Sequence, residues 1–402
     1  MTVTIGKRPP EAVKELEVMQ QHERSGVGEP ELTTEQFGRL LRESIEQELI
    51  SDRLRTGGQD AAIRGAGSDD ARVEEIYQER LKVWRVDDPS QWSRYETPAA
   101  RWAIGDACAR IESVFAEHKR NLKEVPVVGT LTTGQTTACT QRSSAGTPIV
   151  LIDNGFFRFS GIMSQLAVFA SYDAKFRGGF TEATLQLVSD LVATQIVLNT
   201  CLYAYIRSTP PNFQTTVADL QDAISLFVIS HEYAHVSTGD FDAHPLTPQQ
   251  PDETLRTKEF EADKVGFQTV VEAAKQSGAG VFAPFVFLAG QDLLDRAHAA
   301  YEGKAAQPES RSPGDYPTPY ERTVSLLDWL GTTPYKDRFG AQIGEASACY
   351  NTILFVWDRI LTPFWAAREQ LSQFDPAVHG RSRYPQADAF EVVSILWRYV
   401  KP

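Results

Sequence analysis

The chain lacks the segments that would place it in or across a membrane. Its opening stretch, Met1 to Glu23, holds no apolar core of the kind a secretory leader needs. The strongest apolar run, Leu191 to Ile206, carries Thr194, Asn199 and Thr200 and is shorter than the roughly 20 residues a helix needs to span a bilayer. It predicts a buried helix and no membrane span. Cysteine is scarce: Cys108, Cys139, Cys201 and Cys349 are scattered with no CxxC pair, which argues against a thiolate metal site and fits reduced thiols in the cytoplasm. Positive charge is in deficit, with 40 Lys and Arg against 53 Asp and Glu and a net charge of −13, so nucleic acid and anionic membrane are poor partners. No internal repeat is evident. What is left is an acidic, cytoplasmic, globular protein of ordinary composition, 42% hydrophobic and 23% charged, whose 402 residues suffice for two domains.

Hydrophobic spacing predicts an α+β protein that is mostly helical. In residues 1–125 a helix opens at Thr33-Thr34-Glu35 and places Phe37, Leu40, Leu41, Ile45 and Leu49 on one face. The glycine-rich stretch Thr56 to Asp70 reads as a linker, and helices follow at about 69–86 and 98–122. Two β-branched runs, Val125 to Leu131 and Thr147 to Ile152, read as strands of a small sheet. Beyond them the pattern is helical: Phe156 to Ala170, Thr181 to Arg207, Thr215 to Val236, Glu253 to Gln276 and Val281 to Tyr301. Further helices are expected at Tyr320 to Leu330, Phe339 to Leu371 and Ala389 to Val400, with Pro363 kinking or breaking the second of these. Pro-rich loops separate them at 240–253 and 303–319.

The chemistry sits in His231-Glu232-Tyr233-Ala234-His235. Histidines four apart on a helix project from one face, so two imidazole nitrogens reach one Zn²⁺ and the intervening glutamate reaches a water beside it. Leu220, Ala223, Ile224, Phe227 and Val228 form an apolar stripe that continues onto His231 and His235, which puts both histidines on the buried face. A buried polar pair without metal would show the same stripe. A catalytic zinc needs a third ligand. His244 is near, but Thr238 and Phe241 stand where an extended HExxHxxGxxH pattern needs Gly and His, and a solvated loop histidine is the better reading. Glu259, on the next helix, is the better ligand. Asp263, one turn on, can fix the tautomer of a ligand histidine. Glu261 lies on the opposite side of that helix and reads as solvent-facing.

HExxH followed by Glu259 and Asp263 resembles the gluzincin metallopeptidases, and Glu259-Phe260-Glu261-Ala262-Asp263 is most similar to the branch of the CAAX prenyl protease and its soluble relatives. The resemblance covers roughly residues 126–332. It implies a zincin-like core with a small edge-stranded sheet at 126–335. A helical N-terminal region (1–125) with a regulatory or target-binding role and C-terminal helices (336–402) packing on the catalytic domain complete the expected organisation. It implies His231, His235 and Glu259 as ligands of Zn²⁺, Glu232 as general base, and a peptide substrate antiparallel to an edge strand near Ile149–Ile152. Tyr316-Pro317-Thr318-Pro319-Tyr320-Glu321-Arg322 has the outline of that branch's His-Pro loop, with Tyr316 where the family has histidine. Two readings stay open for Tyr316, a hydrogen bond to a developing oxyanion or a plain turn residue. Two also stay open for Arg322, an ion-pair anchor behind the site or a helix-surface arginine.

The expected function is a zinc-dependent peptidase, read as an endopeptidase, acting on a peptide or protein. A bacterial regulatory or phage-defence protease restrained or targeted by its N-terminal region fits this pattern. The alternative is a catalytically inactive binding or regulatory protein on the same fold.

Overall fold

A computed structural model of the chain describes residues 8–24, 42, 70–83, 92–93, 96, 98–120, 122, 124–131, 133–202, 204, 209–239, 253–274, 278–303, 316–374 and 385–400. It is mostly helical with one small sheet. The expected helix at 33–49, the linker before Asp70 and the loop that carries His244 lie outside the described residues. No helix among the described residues is long and apolar enough to cross a membrane.

In order, the elements are α1 (Pro10–Arg24), α2 (Asp70–Val83), α3 (Pro98–Glu117), β1 (Val127–Leu131), β2 (Ala138–Arg142), β3 (Pro148–Asp153), α4 (Asn154–Phe176) and α5 (Glu182–Val192). Then come α6 (Pro211–Thr238), α7 (Glu253–Ala273), α8 (Ala279–Glu302), α9 (Pro319–Gly331), α10 (Tyr335–Leu371) and α11 (Pro385–Val400). The sheet order is β1-β3-β2. Strand β2 was not expected from the sequence. The strand expected to be the edge, Ile149–Ile152, is instead the buried centre of the sheet, because β2 covers its outer side. Bonds from Ser143 N to Thr147 O (2.8 Å) and from Asp153 N to Thr137 O (3.0 Å) fix an antiparallel β2–β3 hairpin.

Contacts divide the chain into two compact units, residues 1–130 with 142–149 and residues 131–141 with 150–402. The first buries Ala12, Val13 and Leu16 of α1 and Ile104, Cys108, Ile111 and Phe115 of α3, the latter at helical spacing. Its buried Glu96 accepts from Thr130 N (2.5 Å), Thr130 Oγ1 (2.8 Å) and the Gln20 amide, so a carboxylate costly to bury has its oxygens occupied.

In the second unit, α6 packs against α4, α7 and α8, and α8 packs against α10. The first half of α8, Ala279 to Gly290, carries no charged residue and is nearly all buried, as a helix apolar on every side must be. Phe287 meets Phe227 of α6 (5.9 Å) and Phe159 and Phe156 of α4 (6.2 and 6.3 Å) in edge-on pairs. Each such pair adds about 0.5–1.5 kcal/mol beyond the area it buries, so this cluster is a main tie among the three helices. Two expectations need correction. The helix from Thr181 does not reach Arg207: α5 ends in a π-helical turn, Ala193–Val197, where Thr194 Oγ1 bonds back to Asp190 O at 2.8 Å. Asn199 then turns left-handed (φ +55°), which terminates the run. Of the two outcomes expected at Pro363, a kink or a break, the break does not occur: α10 runs through it.

The approach of α7 to α6 depends on Gly266. A Cβ there would lie 3.0 Å from the Phe227 ring and 3.2 Å from the Phe227 carbonyl oxygen. Glu259, Asp263 and Gly266 share one face of α7 by their spacing. Gly266→Val is therefore expected to destabilise the protein by about 1–3 kcal/mol. It is also expected to weaken metal binding by pushing Glu259 away from α6. Urea unfolding and metal titration check the two effects; unchanged stability and metal affinity would show that the helices do not need this contact.

Candidate metal centre

The site is built from α6, α7 and α9. Pro211 at the first turn starts α6 and Gly239, left-handed at φ +76°, ends it by donating its N–H to His235 O at 2.9 Å, so the helix stops one turn past the second histidine. A capping box of Thr318 and Glu321, with Pro319 at the first position, starts α9 and fixes the backbone just after Tyr316. Arg256, one turn before Glu259, pairs with Glu321 at 2.5 Å and ties α7 to α9 at the site.

The structure brings His231, His235 and Glu259 together as a group able to hold a metal ion. His231 Nε2 is 3.2 Å from His235 Nε2 and 3.2 Å from Glu259 Oε2, and His235 Nε2 is 3.3 Å from Glu259 Oε1. A tetrahedral ion with bonds of about 2.0–2.1 Å holds its ligand atoms about 3.3–3.4 Å apart. Each imidazole nitrogen thus lies near that spacing from the other and from one of the two Glu259 oxygens, His231 from Oε2 and His235 from Oε1. The side chains of His231 and Glu259 are only 7% and 4% exposed, and the polar neighbours of the buried Glu259 Oε2 among the described residues are His231 Nε2 at 3.2 Å and Arg322 Nη1 at 4.0 Å, neither a close hydrogen bond. A buried carboxylate oxygen left so is costly, and a cation among the three ligands removes the cost.

Asp263 and Arg322 stand behind the ligands. His231 Nδ1 lies 3.0 Å from Asp263 Oδ1, and Arg322 holds both oxygens of Asp263, Nε to Oδ2 at 2.8 Å and Nη2 to Oδ1 at 2.5 Å. This fork is the ion-pair anchor among the two readings of Arg322, and it leaves Nε2 as the ring nitrogen that faces the other ligands. Glu261 is exposed and pairs with Lys264 at 2.5 Å, on the outer side of α7. The carboxylates here outnumber the one guanidinium, an excess of negative charge that suits a cation.

Burial pulls the His231 imidazolium down, but its hydrogen bonds to Asp263 and Glu259 outweigh this and raise its pKa to about 10. Burial opposes ionisation of Glu259 and Asp263 too, yet His231 and Arg322 hold both carboxyls below the usual range. Burial and the nearby Glu259 keep the Tyr316 phenol protonated, and it donates to Glu259 Oε1 at 2.5 Å. Tyr316 is thus a site residue, bound to a candidate ligand.

A cavity of about 300 Å³ opens beside the group, lined by Glu232, Phe227, Phe287, Thr136, Ala138 and Tyr316 among others. Glu232 faces it, buried at 7% exposure. Sequence reasoning missed Thr140, whose Oγ1 donates to Glu232 Oε2 at 2.7 Å. No local signal marks it, because the bond spans β2 and α6. Compared with known protein families, curated proteins and solved structures, the chain matches none.

One consequence is a pH-dependent metal affinity. With its pKa near 10, His231 holds a proton in the metal-free site at neutral pH, and binding must expel it. Affinity for a divalent ion should rise about tenfold per pH unit from pH 6 to 8 and level off above the pKa. Competition against a chromophoric chelator measures this; a flat profile would show that His231 is unprotonated.

Proposed function

We propose that the protein is a zinc-dependent endopeptidase with its active site at His231, Glu232, His235 and Glu259. The observation that carries this reading is the convergence of two imidazoles and one carboxylate beside a second carboxylate, that of Glu232, on a cavity wall. Two nitrogens and one oxygen suit Zn²⁺ among the common divalent ions. His231, His235 and Glu259 would hold it, and the bound ion would acidify a water and polarise a substrate carbonyl.

The chain's own groups do the rest. Glu232 takes a proton from the attacking water onto a carboxylate oxygen and hands it to the departing amine nitrogen as the C–N bond breaks. Asp263, gripped by Arg322, fixes the His231 ring and its tautomer. The Tyr316 O–H, which donates to Glu259 Oε1, would be placed to donate to a developing oxyanion were Glu259 engaged as a ligand. The Phe227 and Phe287 walls exclude water from part of the cavity, which strengthens these charge interactions.

Substrate binding fits strand addition at β2. Thr137 O points to β3, so the peptide groups of Ala138 and Thr140, one and three residues on, point to the outer edge, where no described strand pairs with them. An extended peptide can hydrogen-bond there. This moves the proposed substrate edge from Ile149–Ile152 to Ala138–Thr140. A peptide laid along an edge strand is gripped at mid-chain, which favours an endopeptidase. An intracellular location and control by the N-terminal residues belong to the same proposal.

The test is Glu232→Gln, measured against a quenched-fluorescent peptide library. The variant should still bind one Zn²⁺ per chain but cleave about 10²–10⁴-fold more slowly. Zinc-loaded parent protein that cleaves nothing, or a variant that cleaves as fast, would overturn the reading; absence of stoichiometric metal would favour a binding or regulatory protein instead.

A further inference from the structure

The proposed base is held by the sheet. Glu232 lies on α6, but the hydroxyl of Thr140, on β2, donates to its Oε2 at 2.7 Å and lies 3.3 Å from its backbone carbonyl. Among the described residues Thr140 supplies the hydrogen bond to this carboxylate. Thr140 is 8% exposed and Glu232 7%, so water cannot readily take over the bond. A threonine hydroxyl has one proton to give, and the shorter bond places it on the carboxylate.

The register of the hairpin adds a second fact about Thr140. Thr137 and Asp153 form a bonded pair, as do Ser143 and Thr147, so Cys139 and Gln141 turn their peptide groups towards β3. Ala138 and Thr140 turn theirs to the free edge. Ala138 lines the cavity next to Glu232, and Thr140 reaches Glu232 from the same face of the strand, two residues on.

The geometry points to Thr140 as a positioning residue that couples substrate to base. Its backbone N–H and C=O lie on the edge where a peptide would add, and its side chain fixes the carboxylate that would deprotonate the attacking water. One residue therefore sets the register between the strand that is cut and the group that cuts it. This inference rests on the peptidase reading of the site. It assigns Thr140 no contact with reacting atoms; the residue acts through Glu232.

Thr140→Val keeps the shape and the backbone and removes only the hydroxyl. With a peptide cleaved by the parent, kcat should fall about a hundredfold, the scale of a misplaced catalytic group, while KM stays within about twofold. Thr140→Ser should restore most of kcat. A merely structural residue would change stability without this split or this rescue. Should Thr140→Val lose the native circular dichroism spectrum, Thr140→Ala carries the same comparison.

A second measurement needs no cleavage. Acetohydroxamic acid loses its hydroxyl proton on chelating an ion, and Glu232 is the group placed to take it. Its affinity can be followed from the visible absorption of the Co²⁺-loaded protein. Thr140→Val should weaken it about fivefold when Glu232 is present and leave it almost unchanged in a Glu232→Ala background, because residues acting as a unit are not additive. Equal weakening in both backgrounds, or kcat unchanged in Thr140→Val, would overturn the inference. If the parent cleaves no peptide while this coupling is found, the peptidase reading fails and the hold of Thr140 on Glu232 stands. If the parent cleaves and Thr140→Val cleaves as fast, the reverse holds. Failure of the parent to bind Co²⁺ or Zn²⁺ would overturn both.

Discussion

Two helices meet at a glycine, and the site depends on how closely they do. Gly266 lets α7 press against Phe227 of α6. From that contact, periodicity carries the consequence along both helices. One turn on from Phe227 comes His231, and another turn brings His235. Back along α7 from Gly266 come Asp263 and then Glu259. A helix presents its i, i+4 and i+7 positions on one face, so fixing the axes at one point fixes which side chains face each other two turns away. Phe227 serves twice, since its ring also packs on Phe287 and forms part of the cavity wall.

Such a closely packed cluster of ionisable groups is expensive unless its charges balance. Burying a carboxylate without a partner costs several kcal/mol, and the pairings at the site answer that cost one group at a time. Arg322 neutralises Asp263, and Asp263 orients His231. Glu259 is left between two imidazoles, with Oε2 nearest His231 and Oε1 nearest His235. Hydrogen bonds to Asp263 and Glu259 favour the His231 imidazolium in spite of burial and raise its pKa to about 10. Proton and metal ion are thus alternatives for the same excess of negative charge. His231 Nε2 and His235 Nε2 stand 3.2 Å apart, so either a proton or a cation can lie between them.

The sequence disclosed the parts of this arrangement that obey a helical period. His231, His235, Glu259 and Asp263 were legible because each pair lies one turn apart, and Glu261 could be placed outside by the same geometry. It disclosed the sheet poorly. Ile149 to Ile152 is the strong β-branched run because it is buried on both faces; nothing in the run itself marks an edge, a position that only the resemblance to the gluzincins implies. The true edge, Ala138–Arg142, is short and polar with one buried position, Thr140. Pairing order is set by long-range contacts that no local window contains. The π-helical turn after α5 escaped for a related reason: Thr194 bonds back to Asp190, and a side chain rather than the hydrophobic pattern ended the helix.

The weakness of β2 as a sequence signal follows from its place at the edge of the sheet. A strand that is to receive another strand must leave one row of peptide groups unpaired and cannot be covered on both faces. It therefore cannot carry the continuous apolar run that makes a buried strand conspicuous. Polar residues such as Thr137, Thr140 and Gln141 keep such an edge from pairing indiscriminately, and they are also the residue types that can make directed hydrogen bonds to a neighbouring helix. Thr140 uses that capacity towards Glu232, and Thr137 uses it towards Asp153, where its hydroxyl donates to Oδ2 at 2.8 Å. The edge is thus anchored at two points by side chains while its backbone stays open. Its rigidity comes from these bonds and from the hairpin to β3, so a peptide added to it would meet a surface already in register with the proposed base.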